Sequence, residues 1–391
     1  MRSRFLTAAV LVGCLIGSAW IPVYGQILIV GNDEKNGVDQ NLKPIIREPG
    51  HDSLSVIDIS NPGAPRITAT IPLVNSVVGP PTNLAIVPAG DIALVANSLM
   101  PVVQGWGHRL EPDDKVFVVD LKASPPKVIG TVTVGKQPSG MAISPNGDLA
   151  LVANRADGTI SVLSIHGSEV LVADTVRVGD PADQVSAVAI TPDGKHALAA
   201  KAAANKVALL TIDGGKVTYG KRDLPTGIFP VNVAVSPDGK LALTADNGGG
   251  SSDGNIDTVG VIDLTAVPPR VIDHVTVGDS PEGLAISPKG NLAVSIQAEG
   301  SNQPKTVFYH HAGGSVAVLA IDGNKVTKTG SVTVGALPEG AAFSPDGSYL
   351  YVGNFIDGDL SILKVDGGNV TDTGRRLKMP GHPASMRAGP Q

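Results

Sequence analysis

The chain has 391 residues, 47 of them glycine and 30 proline, with short Val/Ile/Ala/Leu runs between them and no long stretch of helical period. That excludes a helical bundle and leaves an all-β chain, as two domains or one large one. The formal net charge is −6, and residues 26–391 carry −8 because Arg2 and Arg4 are the only charges before them. An acidic chain without a Lys/Arg run gains nothing from counterion release, which argues against a nucleic-acid partner.

The segment from Met1 to Gly25 reads as an export signal. "MRSR" is basic, Phe5 to Trp20 is an apolar run, and "VYG" ends at Gly25 with small or aliphatic residues at the −3 and −1 positions of a cleavage before Gln26. The run falls short of the roughly 20 residues that span a bilayer. "LVGC" also resembles a lipobox with Cys14 as the lipidated residue, although Cys14 is followed by more apolar chain. A periplasmic or secreted protein is expected, with a lipid anchor on Cys14 as the alternative. Cys14 is the only cysteine, so the rest of the chain holds neither a disulfide nor a thiolate metal site.

Gln26 to Leu73 supplies three strand-like runs, "ILIVGN", "SLSVIDI" and "RITATIPL". From Thr82 onward a fourfold pattern repeats. Strand a ends in a turn proline, as in "TNLAIVP", "SGMAISP" and "VNVAVSP". A tight turn, typically Pro-Asp-Gly, leads to strand b, as in "DIALVAN" and "KLALTAD". Strand c ("TVGVIDL") and strand d ("RVIDHVTV") follow. The turn prolines, Pro88, Pro145, Pro192, Pro237, Pro288 and Pro345, recur at intervals that suit a four-stranded propeller blade with loops of variable length. That gives six complete blades. The first three runs are strands b, c and d of a seventh, whose strand a is "ASMRAGP", Ala384 to Pro390. The expected fold is one domain over 26–391, a seven-bladed β-propeller closed by pairing the last strand with the first.

The strand-b ends "LVAN", "YVGN" and "LTADN" resemble the YVTN-repeat propeller family, whose members often look lactonase-like. The likeness covers the whole chain after Gly25. It implies the seven-bladed fold, a lactonase as an expected activity, and a His-Glu-Arg constellation in the channel.

In a propeller the start of a, the end of b and the b–c loop share one face. Here that face holds the long, mutually unlike loops "DEKNGVDQNLKPIIREPGH", "SLMPVVQGWGHRLEPDD", "NGGGSSDGNID" and "AEGSNQPKTVFYHHAGG". A constant scaffold with divergent loops on one face is how a site is grafted onto a fold. Of the ten aromatic residues after Gly25, Trp106, Phe229, Phe308, Tyr309 and Phe355 map there, as do His51, His108, His310, His311 and His382. Two polar tiers are expected around the mouth. At the top of strand a stand Asn83, Ser139, Ser186, Asn232, Glu282, Glu339 and Ser385. At the end of strand b stand Asn32, Asn97, Asn154, Lys201, Asp246, Gln297 and Asn354, with Arg155 just after. Arg155 and Lys201 against Asp246, Glu282 and Glu339 make a dipolar funnel suited to a polar or anionic small molecule.

Glu282 and Glu339 occupy equivalent places on neighbouring blades, so inward-pointing side chains would raise one pKa or recruit a cation. No cofactor is required by any motif. Ca²⁺ or another divalent cation is the candidate, held by both glutamates with Asn83 and Asn232, as in the calcium centre of six-bladed gluconolactonase-type propellers. His51, His108 and His382 are the other possible ligand set, without a metal-binding spacing. Arg387 stands where the other six strands a have alanine, placing a cation against the channel. The expected function is an exported propeller that binds a small polar ligand or a protein partner at the loop-face mouth, as a monomer without a transmembrane segment. The alternative is a lactone hydrolase or isomerase using Glu282 or Glu339 as acid/base, with Arg155, Lys201 or Arg387 on the oxyanion.

Overall fold

The structure is a computed structural model describing residues 26–389 except 40, 49, 76–79 and 106. The export segment, Cys14 and Trp106 lie outside the described residues. Seven four-stranded antiparallel sheets form the ring, each in the order a-b-c-d, with a separate two-stranded ribbon of Asn36–Val38 and Pro44–Ile46 in the b–c segment of blade seven. Pro383–Ala388 pairs with Ile27–Asn32 in the register Leu28↔Ala388, Ile29↔Arg387, Gly31↔Ser385. The ring therefore closes through blade seven, which takes its strand a from the C-terminal segment and so has four strands like the others.

The repeated Ser-Pro-Asp-Gly turn satisfies its own polar groups. In blade four Ser236 Oγ donates to Asp238 Oδ1 (2.6 Å) and accepts from Leu241 N (3.0 Å), while Asp238 Oδ1 also accepts from Lys240 N (3.1 Å). Gly239 takes φ +71°, and a Cβ there would stand 3.4 Å from Pro192 of the preceding blade. The turn thus closes one hairpin and packs it on the last one, which explains why the motif recurs.

Seven apolar clusters lie between consecutive blades. Blade six meets blade seven through Tyr351, Leu360 and Ile362 against Leu28, Ile57 and Met386, and blade seven meets blade one through Ile29, Leu54 and Val56 against Leu84, Ala93 and Val95. Strands d, by contrast, alternate exposed and half-buried residues on the outer rim.

One segment differs from its sequence reading. "SLMPVVQGWGHRLEPDD" is not an irregular loop: strands b and c of blade one run on as Ile92–Gln104 and Gly107–Asp120, a hairpin standing off the loop face. The hairpin contains Pro101 and Pro112. They are tolerated because the projecting part is two-stranded, so each strand has a free edge that needs no N–H donor.

Candidate functional site

The residue ending strand b works within its own blade. Asn154 Nδ2 donates to Thr159 Oγ1 and Ser161 Oγ (both 3.0 Å). Asn354 Nδ2 donates to Asp359 Oδ1 (2.7 Å) and Ser361 Oγ (2.9 Å), and Asn97 Nδ2 to Asp113 Oδ2 (2.7 Å). Asp246 accepts from Thr244 Oγ1 (2.8 Å) and Thr258 Oγ1 (3.1 Å) and faces His274 Nδ1 at 3.6 Å. Burial pushes its carboxyl up to about 6, against those hydrogen bonds and the histidine. Lys201 is paired with Asp183 (3.0 Å) and Asp223 (3.1 Å). The expectation that this tier lines the funnel is therefore corrected: these side chains tie strand b to strand c or d, or in Lys201–Asp183 to the turn before strand a, and Lys201 brings no unpaired positive charge. Replacing Asn154 by Ala should remove two buried hydrogen bonds, cost about 1–3 kcal/mol, and lower the melting temperature measured by circular dichroism.

The residue after it crosses to the next blade. Arg155 Nε and Nη2 donate to Gln184 Oε1 (3.1 and 2.6 Å), and its guanidinium carbon lies 6.0 Å from the Phe229 ring centroid. Asn247 Nδ2 donates to Glu282 Oε1 (3.1 Å) and Ser280 Oγ (2.9 Å). Phe355 stacks on His382 at 4.9 Å, and His382 Nδ1 lies 2.7 Å from Phe355 O. Asn247, Asp33 and Gln184 are site residues that the sequence reading missed. The first two share the register of Arg155, and that was the available signal.

Strand a carries a bulge at its top. Pro281 pairs with Gln297 and Gly283 with Ile296, leaving Glu282 unpaired; Pro338 pairs with Asn354 and Ala341 with Val352, leaving Glu339 unpaired. A bulge re-aims the extra side chain. It also corrects the register, because the equivalents of Glu282 and Glu339 are Ser139, Ser186, Val231 and Ala384. Asn232 and Ser385 sit one residue further along, paired with Ala245 and Gly31. Asn83 is buried, its Nδ2 donating to Ala96 O (2.8 Å).

Glu282 and Glu339 are half-buried inside the ring. Burial pushes Glu282 up to about 7, against the charge of Arg155 and the amide of Asn247. Glu339 is raised well above the usual carboxylate range by burial, then by Glu282 and by Asp33. Among the described residues nothing donates a hydrogen bond to its carboxyl. Carboxyl-resolved NMR should show Glu282 titrating near 7, and Arg155→Met should move it higher by removing the cation that holds it down.

The remaining candidates stand apart from this pair. Arg387 lines the channel; burial lowers its pKa, and among the described residues no carboxylate faces it. It lies three residues further down strand a than the bulge, and so stands away from Glu282 and Glu339. Tyr309 packs over Gly254, His51 is exposed, and His108 pairs with Val103 in the blade-one hairpin. Among the described residues no group of three or more His, Cys, Asp or Glu side chains is placed to hold a metal ion. Asn232, expected to help hold Ca²⁺, instead turns its Oδ1 to Val233 N (2.9 Å).

No protein-family model matches this chain, and no curated protein does. Solved structures match it over nearly its whole length. A candidate 6-phosphogluconolactonase from Bacteroides uniformis is 16% identical with a TM-score of 0.68, covering 93% of this chain and 99% of that one. A periplasmic gluconolactonase from Pseudomonas aeruginosa is 18% identical with a TM-score of 0.65, covering 93% and 99%. A functionally unknown protein from Desulfotomaculum acetoxidans is 16% identical with a TM-score of 0.68, covering 93% and 98%. The likeness is one of fold. At such identities the blades are shared, and what the site does must be argued from its own residues.

Proposed function

We propose that the loop-face throat hydrolyses a small polar lactone, with Glu282 and Glu339 as its acid/base pair. The observation that carries this reading is a pair of half-buried carboxyls on neighbouring blades in unlike surroundings: Glu282 accepts from Asn247 and feels the charge of Arg155, whereas Glu339 has no such donor among the described residues and is raised further by Glu282 and Asp33. In this mechanism ionised Glu282 takes a proton from water as the water oxygen bonds to the acyl carbon. Arg155 stabilises the charge that develops on the carbonyl oxygen. The ring C–O bond then breaks, and the leaving alkoxide takes the proton of Glu339, giving a hydroxy acid. Two neighbours of the same fold carry gluconolactonase names, and the strand-b ends resemble the lactonase-like YVTN repeat; both support the choice of a lactone. The test is turnover of a panel of five- and six-membered sugar lactones, followed by acid release. No turnover of any member, together with binding of the intact lactones, would leave a binding propeller.

A second reading rests on the rim. Phe308, Val103, Ile256 and Ile228 are 92%, 78%, 73% and 62% exposed, and all stand on the loop face. Exposed apolar side chains on this face suit a protein partner seated over the mouth. Export belongs to the same proposal: mass spectrometry of the isolated protein should find Gln26 as the first residue, whereas a lipid-modified Cys14 would make it membrane-anchored. Among the described residues no helix is long and apolar enough to cross a membrane.

A further inference from the structure

Below the throat, a cavity of about 490 Å³ runs down the ring axis from Thr82 and Asn232 to the turn prolines of the opposite face. Its walls are the inner edges of strands a. The alanines three residues before each turn proline leave the space open, and Ile143, Ile190, Ile286 and Phe343 make it apolar. Arg387 is the one charged residue in that lining. Among the described residues its guanidinium has neither a hydrogen-bond acceptor nor a carboxylate within ion-pair distance, and it is half-buried. A desolvated cation without a counter-charge is costly, and a ligand that supplies one removes that cost.

We propose that this turn-face half of the channel is a second binding site, for a small amphipathic monocarboxylate anchored on Arg387. The charge count limits the ligand class. One guanidinium in an apolar wall compensates one negative charge, through paired N–H···O bonds. A phosphate monoester or dicarboxylate would bring a second charge into a wall with nothing to meet it. A neutral ligand would leave the guanidinium desolvated and unpaired. The volume falls within the roughly 300–1,000 Å³ of small-molecule sites, so an apolar body of alkyl-chain or single-ring size fits below the carboxylate. Glu282 and Glu339 are absent from this lining and lie three residues up the strand, about 10 Å along it. The anion thus sits away from the acidic pair, and the site does not depend on the reading of the throat.

Calorimetric titration with octanoate and with 1-octanol, its neutral counterpart, separates charge from apolar burial. The wild-type protein should bind octanoate about tenfold or more tighter than octanol, and Arg387→Met should bring octanoate down to the level of octanol. Arg387→Lys should retain part of the difference. The Glu282→Gln/Glu339→Gln protein should bind octanoate as the wild type does. Equal affinity for both probes in the wild type, or no octanoate binding in the millimolar range, would overturn the proposal whether or not the Arg387 variants fold. So would loss of octanoate binding in the glutamine variant, which would place the probe in the throat.

Discussion

Replacing Glu282 and Glu339 together by glutamine should abolish lactone turnover, by a factor of about 10² or more, while making the protein more resistant to heat at pH 8. Both effects come from one cause. Each carboxyl has a folded-state pKa above its ordinary value because burial disfavours its charge. Such a group binds its proton more tightly in the folded than in the unfolded chain. Its contribution to stability is therefore full below the unfolded pKa, near 4.5, and is lost as pH rises through the folded one, about 7 for Glu282. Glutamine cannot ionise, so the variant should keep above pH 7 the stability that the wild type loses. Thermal melts at pH 5 and pH 8 check this: the wild type should lose more stability between them than the variant. Activity should have a bell-shaped pH profile, rising as Glu282 ionises near 7 and falling where Glu339 loses its proton. Full activity in the double variant would remove the acid/base role. Unchanged pH dependence of the melts would show that the carboxyls are not desolvated.

The blades were legible because each repeats a local rule. In six of them Pro-x-Gly sets the turn, with a hydroxyl before it and Asp at x in blades three, four and six, and the alternation on either side sets the strands. The split seventh blade was legible for the same reason, since its missing strand could be sought by pattern. The site was only half legible. Glu282 and Glu339 stood out as acids among small polar residues, but the bulge that re-aims them adds a residue that no hydrophobic period records. Asn232 and Ser385 were accordingly placed in the wrong tier. Lys201 looked like a funnel cation because Asp183 and Asp223, which neutralise it, belong to other segments of the chain, one before it and one after. That no carboxylate among the described residues stands near Arg387 is a fact about six other strands, and only the closed ring brings them around it.

Deleting residues 381–391 should destabilise the protein by several kcal/mol, a large part of a typical total of roughly 5–15 kcal/mol. The strand lost, Pro383–Ala388, is the innermost of blade seven, and its partner Ile27–Asn32 would be left as an unpaired edge. Met386, 2% exposed, fills the space between Leu28 and Val30 of blade seven and Tyr351 and Ile362 of blade six; removing it opens that cluster to water. The deletion also removes His382, whose carbonyl accepts from Asp33 N (3.0 Å) and whose ring stacks on Phe355, so the neighbouring blade loses its lateral contact as well. The truncated chain should melt well below the full-length protein and aggregate through the exposed edge. A synthetic peptide spanning residues 381–391 should restore part of the lost stability in trans by adding back the strand, in the manner of β-augmentation. A truncated protein that melts with the full-length one would show that the strand-a pairing of blade seven does not hold the ring closed. Loss of stability that the peptide fails to restore would instead assign the effect to the covalent connection from blade six.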